Sequence, residues 1–132
     1  MRGIDTNILV RFVSRDDESQ FQKASAFLAE CSTEHSAFIS SVVLVEFVWT
    51  LRGSYKYSRE QISLKLTTLL NSKEIVIEHS DEAQKANELY LKGETQDFAD
   101  AFLGLIALKN GCSETVTFDK RAARLDFFKE LK

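Results

Sequence analysis

Short apolar runs alternate along this sequence with longer stretches in which apolar residues recur at helical spacing. We interpret the runs ending at residue 5 and those at 37–39, 75–77 and 115–118 as β-strands. The longer stretches predict helices at 6–13, 19–31, 42–51, 58–70, 81–91 and 97–109. Strands that alternate with helices favour a mainly parallel sheet covered by helices on both faces. The sequence therefore predicts an α/β fold.

Length and composition indicate one soluble unit. The chain has 132 residues, 44% of them hydrophobic, which is near the commonest domain size and predicts a single domain over 1–132. Its net charge is −3, so nucleic-acid binding would need a local basic strip. No stretch approaches the ~20 apolar residues of a membrane span, and Asp5 stands where a signal peptide has its apolar core. We expect a cytoplasmic protein without a membrane partner.

Four acids lie at strand ends or helix starts. Asp5 and Asp119 each follow a predicted strand, Asp100 lies in the first turn of its helix, and Glu46 lies one turn into another. Ligands of open α/β sheets bind beyond the carboxyl ends of the strands, and helical side chains lean toward the helix N-terminus. The four carboxylates are therefore predicted to share one cleft.

Helix capping is the structural alternative for most of these acids. Asp, Thr and Asn all cap well, so the 5–7 tripeptide could simply begin a helix. Asp97 and Asp100 are in the register of a capping pair. In the tail, 120–132, we expect a short helix, which Asp119 could cap, and an edge strand. Glu46 differs, because it is the one charge inside an apolar helix that we expect to be largely buried, where an unpaired charge is costly.

Converging carboxylates repel one another and are held together only by protonation or by a cation. Oxygen ligands without a His or Cys cluster suit Mg²⁺, or alternatively Mn²⁺. Such an ion can accept phosphate oxygens as further ligands, activate a water and stabilise charge on phosphorus. The residues predict phosphate-ester chemistry, in a site that is loose without its ion.

Four short motifs occur in order along the chain: Asp5-Thr6-Asn7, Ser40-Ser41 with Glu46, Asp97-Phe98-Ala99-Asp100-Ala101, and Thr117-Phe118-Asp119-Lys120-Arg121. In order, spacing and total length, the chain resembles the PIN-domain ribonucleases, especially the VapC-type toxins of bacterial toxin–antitoxin pairs. The resemblance covers essentially the whole chain.

This resemblance implies a three-layer α/β/α sandwich that carries a metal-dependent endoribonuclease. It implies that Asp5, Glu46, Asp100 and Asp119 hold one or two Mg²⁺ ions, at which water attacks an RNA phosphodiester in line. Polar groups that would orient the carboxylates and waters are Thr6, Asn7 and Thr117, with Asp97 as a helix cap in a supporting role. It also implies a homodimer and a cognate antitoxin whose C-terminal segment enters the groove.

Basic and aromatic residues suggest where RNA would bind. No acid lies between Glu46 and Glu60, a stretch that holds Trp49, Arg52, Tyr55, Lys56, Tyr57 and Arg59. Such groups suit single-stranded RNA; the alternative is a solvated helix end with Trp49 in the core. Lys120 and Arg121 flank Asp119 and either meet the phosphate backbone or form a solvated face. The candidate RNA contacts are Arg52, Lys56, Lys120 and Arg121. Surplus apolar surface on the 42–51 helix is a candidate dimer or antitoxin surface.

Three rival functions fit less well. A phospho-receiver domain needs an acidic pair at the end of its first strand, but Thr6 follows Asp5. A haloacid-type phosphatase needs Asp-x-Asp, and here Asn7 takes the second place. A non-catalytic PIN-like scaffold that only binds RNA or protein is disfavoured by the presence of all four acids.

Overall fold

The computed structural model describes all 132 residues. Its helices are α1 (Thr6–Ser14), α2 (Glu18–Ala29), α3 (Ser41–Gly53), α4 (Arg59–Leu70), α5 (Ser80–Leu91) and α6 (Phe98–Lys109). Its strands are β1 (Arg2–Gly3), β2 (Ala37–Ile39), β3 (Ile75–Ile77), β4 (Thr115–Thr117) and β5 (Phe128–Glu130), with a 3₁₀ turn at Ala122–Arg124. The chain divides into two compact units, 1–80 and 81–132. No helix has both the length and the apolar character needed to cross a membrane.

The first unit contains a three-stranded parallel sheet in the order β1-β2-β3. Arg2 is paired with Ala37, and Ala37 with Ile75. Parallel neighbours need a crossover connection, which here is a pair of helices each time: α1 and α2, then α3 and α4. Because β1 and β2 run in the same direction, α1 and α3 both start at the carboxyl edge of this sheet.

Apolar faces of these helices form the core of the first unit. Helix α1 packs against α2 and α3, and α3 packs against α4. The largest fully buried side chains of this unit are Leu9, Ile39, Leu44, Phe47, Leu51, Ile62 and Leu66. Helix α4 begins with a capping box of the Ser-x-x-Gln type: Ser58 Oγ accepts from the Gln61 amide, and the Gln61 side chain accepts from the Ser58 amide.

One expectation about α3 is wrong. Leu44, Phe47 and Leu51 are fully buried, but Val42 is 68% exposed and Trp49 is 55% exposed. The helix is apolar nearly all round, yet its neighbours in the first unit cover only one side of it. Apolar composition alone therefore misjudged how much of α3 is covered.

The second unit pairs β4 with β5, again in parallel, with Thr115 opposite Phe128 and Thr117 opposite Glu130. Its core is supplied mainly by α5 and α6, through Ala83, Ala86, Tyr90, Phe98, Ala101 and Phe102. The predicted short helix and edge strand in the tail are the 3₁₀ turn and β5. All strand pairs in both units are parallel, so the predicted α/β class is confirmed.

Candidate active site

Asp5 is the N-cap of α1. Its Oδ1 accepts a 2.7 Å hydrogen bond from the Thr6 amide, and the side chain is exposed. Asp5 therefore does cap a helix, as the structural alternative predicts, but the cap uses only one of its two carboxylate oxygens. The second oxygen makes no hydrogen bond with the protein and can still bind a ligand.

Thr6, beside this acid, has a buried hydroxyl that no group of the protein satisfies. Its side chain is only 7% exposed, and Oγ1 has no hydrogen-bond partner. Buried hydroxyls are normally hydrogen-bonded, so this one is available to a water or ligand group. Asn7 is exposed and lines a surface cavity with Arg11 and Gln20.

Glu46 lies on the exposed side of α3, between Val42 and Trp49. Residues four before and three after a helical position share its face, so the acid is flanked by two exposed apolar side chains. It makes no hydrogen bond or ion pair. Glu46 is therefore not the buried and costly charge that its position in an apolar helix predicts, since water reaches it.

Asp97 is the N-cap of α6, as expected from its sequence position. Its Oδ1 accepts from the Ala99 amide at 2.9 Å, and its carbonyl oxygen accepts from the Thr95 hydroxyl at 2.9 Å. These bonds hold the start of α6 in place, one turn before the functional candidate Asp100.

Asp100 lies in the first turn of α6, half-buried and without a hydrogen bond or ion pair. Burial raises the pKa of this carboxyl, and the negative charges of Asp97 and then Asp119 raise it further. Within the second unit, Asp97 and Asp119 thus both act electrostatically on Asp100.

Asp119 is exposed and caps the turn that follows β4. Its Oδ1 accepts from the amides of Arg121, at 2.8 Å, and Ala122, at 3.4 Å. Its own amide donates to Thr117 Oγ1 at 3.0 Å. The predicted polar residue Thr117 therefore anchors the backbone of this acid rather than its carboxylate.

The candidate RNA contacts Arg52, Lys56, Lys120 and Arg121 are all exposed. Trp49 is exposed too, so the alternative that places it in the core is wrong. Tyr55, by contrast, uses its hydroxyl inside the first unit, where it donates to Asp16.

Phe118 is not among the predicted site residues, yet it has the most exposed large apolar side chain of the protein at 81%. The sequence signal for this residue is an aromatic side chain at the end of a predicted strand, between the site candidates Thr117 and Asp119.

Comparison with known proteins identifies the family. The model of the PIN domain matches residues 4–128. The chain belongs to the PIN-domain family. It is 30% identical over 128 residues to a VapC ribonuclease of Aquifex aeolicus (strain VF5), covering 96% of this chain and 93% of that protein. No solved structure matches. The PIN match spans both compact units and removes the support for a phospho-receiver or a haloacid-type phosphatase.

The carboxylates of this PIN domain fit a hard divalent ion by their chemistry. The charges that act on Asp100 are those of two further carboxylates, and oxygen donors of this kind are the ligands of Mg²⁺ and Mn²⁺. A cation there would offset the repulsion that raises the pKa of Asp100. As the side chains are placed, no group of three or more His, Cys, Asp or Glu is close enough to hold a metal ion.

Proposed function

We propose that this PIN domain is a divalent-metal-dependent endoribonuclease that hydrolyses RNA phosphodiester bonds, acting as the toxin of a type II toxin–antitoxin system. The proposal is supported by membership in the PIN-domain family and by similarity to a protein named VapC ribonuclease. The observation that carries it is Asp100, a half-buried carboxyl whose pKa is raised by burial and by two neighbouring acids. Such perturbed groups cluster at functional sites.

Asp5, Glu46, Asp100 and Asp119 are the proposed ligands of Mg²⁺, for which Mn²⁺ can substitute. When bound, the ion would lower the pKa of a water and offset the charge that builds up on phosphorus. The protein's own part is positional. Caps at Asp5 and Asp119 leave one carboxylate oxygen free of hydrogen bonds, so each side chain is oriented while still able to bind.

Four further residues are proposed to support these acids. The unsatisfied hydroxyl of Thr6 is a ready partner for a bound water. Thr117 and Asp97 fix the backbone at the start of the Asp119 turn and of α6. Asn7 is the fourth residue, and it places an exposed side-chain amide two positions after the α1 N-cap Asp5. Groups of this kind orient ligands and waters in metal sites.

RNA is the proposed substrate, contacted by Arg52, Lys56, Lys120 and Arg121. All four are exposed cations, and neutralising phosphates with Lys and Arg supplies most of the sequence-independent affinity for nucleic acid. Their exposure leaves all four accessible to the phosphates of an RNA strand.

A homodimer, a cognate antitoxin and a cytoplasmic location complete the proposal. The exposed apolar side chains Val42 and Trp49 on α3 support a protein-binding surface there, because exposed apolar groups that flank a charged site often mark interfaces. The name of the Aquifex relative supports the toxin assignment.

Cleavage of RNA tests the proposal directly. Labelled single-stranded RNA is incubated with the protein and Mg²⁺, with and without EDTA, and with the variants Asp100→Asn and Asp81→Asn. Asp81 is the matched control, an exposed acid in the first turn of α5. We expect EDTA to abolish cleavage and Asp100→Asn to slow it by more than about 100-fold, while Asp81→Asn cleaves normally.

Two results would contradict the proposal. Cleavage that continues in EDTA excludes the metal-dependent mechanism, and normal cleavage by Asp100→Asn excludes this site. RNA binding without cleavage under any divalent ion would instead favour the non-catalytic scaffold.

A further inference from the structure

Phe118 projects an aromatic ring almost entirely into solvent. It is 81% exposed and makes no ring contact with another aromatic or cationic group. Exposing a whole aromatic side chain forgoes the large stabilisation that burial of a ring contributes. A ring in this position is therefore free to bind an external partner.

The backbone on both sides of this ring is fixed. Before it, the Thr117 carbonyl accepts from the Leu131 amide at 2.7 Å, within the β4–β5 pair. After it, the Asp119 amide donates to Thr117 Oγ1, and the Asp119 carboxylate accepts from the Arg121 amide. The ring is thus presented by an ordered turn, so that little backbone freedom is lost when it binds.

The surroundings of the ring are basic. Residues 118–124 contain Lys120, Arg121 and Arg124 but only one acid, Asp119, in a chain whose net charge is −3. The side chains of Lys120 and Arg121 are exposed and make no hydrogen bond or ion pair. An aromatic face next to free cations is the combination with which proteins bind single-stranded nucleic acid.

We propose that Phe118 stacks on a base of single-stranded RNA next to the position of cleavage, while Lys120 and Arg121 contact the adjoining phosphates. This inference rests on the proposed function, and it adds that the substrate is unpaired at this base. In a duplex the face of a base is covered by its neighbours, whereas an unstacked base can lie on an aromatic ring. Phe118 is then a substrate-binding residue that positions the strand beside Asp119.

A protein is the alternative binding partner for the surface around Phe118. Val116, two residues earlier on the strand, is 58% exposed and could extend an apolar contact. The remaining exposed neighbours in sequence are Asp119, Lys120 and Arg121, which are charged. A ring that is followed in the chain by three exposed charged residues fits a nucleotide better than the apolar centre of a protein interface.

The test uses a single-stranded RNA that carries 2-aminopurine, a base whose fluorescence is quenched by stacking. Binding is measured in EDTA, where the proposed nuclease is inactive, with the full chain and with Phe118→Leu, Phe118→Tyr and Val116→Ala. Leu keeps the apolar character of the side chain but cannot stack, and Tyr keeps the aromatic face. Because the side chain at position 118 is highly exposed, we expect these variants to fold normally. Circular dichroism verifies that they do.

We expect Phe118→Leu to weaken RNA binding about 5- to 140-fold, the range that corresponds to loss of one base–aromatic stack, and to abolish the quenching. Phe118→Tyr and Val116→Ala should bind and quench as the unchanged protein does. Binding and quenching by Phe118→Leu that equal those of the unchanged protein overturn the inference. So does equal weakening by Phe118→Leu and Phe118→Tyr.

The two proposals fail separately. Quenching that depends on Phe118, in a protein that cleaves no RNA with Mg²⁺ or Mn²⁺, supports stacking and removes the nuclease. Metal-dependent cleavage whose KM is unchanged in Phe118→Leu supports the nuclease and removes the stacking.

Discussion

The hydroxyl of Tyr55 donates a 2.7 Å hydrogen bond to Oδ2 of Asp16, joining residues 39 positions apart in the first unit. Arg11 also contacts both groups, at 3.0 Å from each. This network ties the segment after α3 to the loop between α1 and α2. It lowers the pKa of Asp16 to about 2, chiefly through the hydrogen bonds from Tyr55 and Ser14.

Low pH should lower the folding stability of the first unit through protonation of Asp16. Its folded pKa lies below its ordinary value of 3.8, so the carboxylate stabilises the fold above that value and loses this contribution as pH falls toward 2. We expect Asp16→Asn to lower Tm at pH 7, with the difference from the unchanged protein shrinking below pH 4. Thermal denaturation between pH 7 and pH 2 measures it, and a difference independent of pH would contradict the prediction.

Tyr55→Phe should raise the pKa of Asp16, because it removes the largest cause of the lowering. Tyr57→Phe is the matched control, since the Tyr57 ring packs edge-on against Tyr55 but its hydroxyl makes no hydrogen bond. NMR titration of the Asp16 carboxyl measures both. A pKa shift of similar size in the two variants would exclude the Tyr55 hydrogen bond as the cause.

Gly104→Ala should destabilise the second unit. A Cβ at this position would lie 2.5 Å from a ring carbon of Phe128 and 2.6 Å from one of Phe127. Both rings would have to move, an overpacking that costs about 1–3 kcal/mol and outweighs the helix propensity of Ala, at most about 1 kcal/mol. Urea denaturation measures the change in free energy of unfolding.

Gly53→Ala is the control for that change, because a Cβ there meets nothing within 4 Å. It should leave stability unchanged or raise it slightly. Equal stability of Gly104→Ala and the unchanged protein would show that the α6 surface is looser than the structure indicates.

Two substitutions at Asp97 should distinguish the effect of its helix cap from the effect of its negative charge. Asp97→Asn keeps an oxygen that can accept from the Ala99 amide and should preserve stability, whereas Asp97→Ala should cost about 0.5–2 kcal/mol. Both remove a negative charge that raises the pKa of Asp100, so both should lower that pKa. Denaturation and NMR titration of Asp100 measure the two effects; an equal loss of stability in both variants would refute the cap.

Divalent ions should stabilise the folded protein through Asp100. A ligand that binds only the native state at 100 times its Kd adds about 2.7 kcal/mol, so Mn²⁺ should raise Tm measurably. Asp100→Asn should abolish this rise and Asp81→Asn should retain it. A Tm that does not respond to Mn²⁺, or one that responds equally in both variants, would argue against the proposed metal site without any measurement of RNA cleavage.

Local chemistry made much of the fold predictable. The capping box of Ser58 and Gln61 and the cap of Asp97 involve groups two or three residues apart, and such contacts form whatever the rest of the chain does. The strands at 75–77 and 37–39 have the predicted bounds for a similar reason. Short β-branched and apolar runs between turn residues rarely adopt any structure other than a strand. The ordered motifs identified the family, which the PIN match confirms.

The sequence by itself thus determined the helices, the positions of most strands and the family, because these depend on neighbours along the chain or on the order of motifs. Tertiary structure alone decided that Glu46 and Trp49 face solvent, that Phe118 is left uncovered, and that Asp100 is affected by Asp97 and Asp119. Exposure and electrostatic environment depend on which distant elements cover a side chain. When a helix is apolar on every side, its sequence does not indicate which face will remain exposed to solvent.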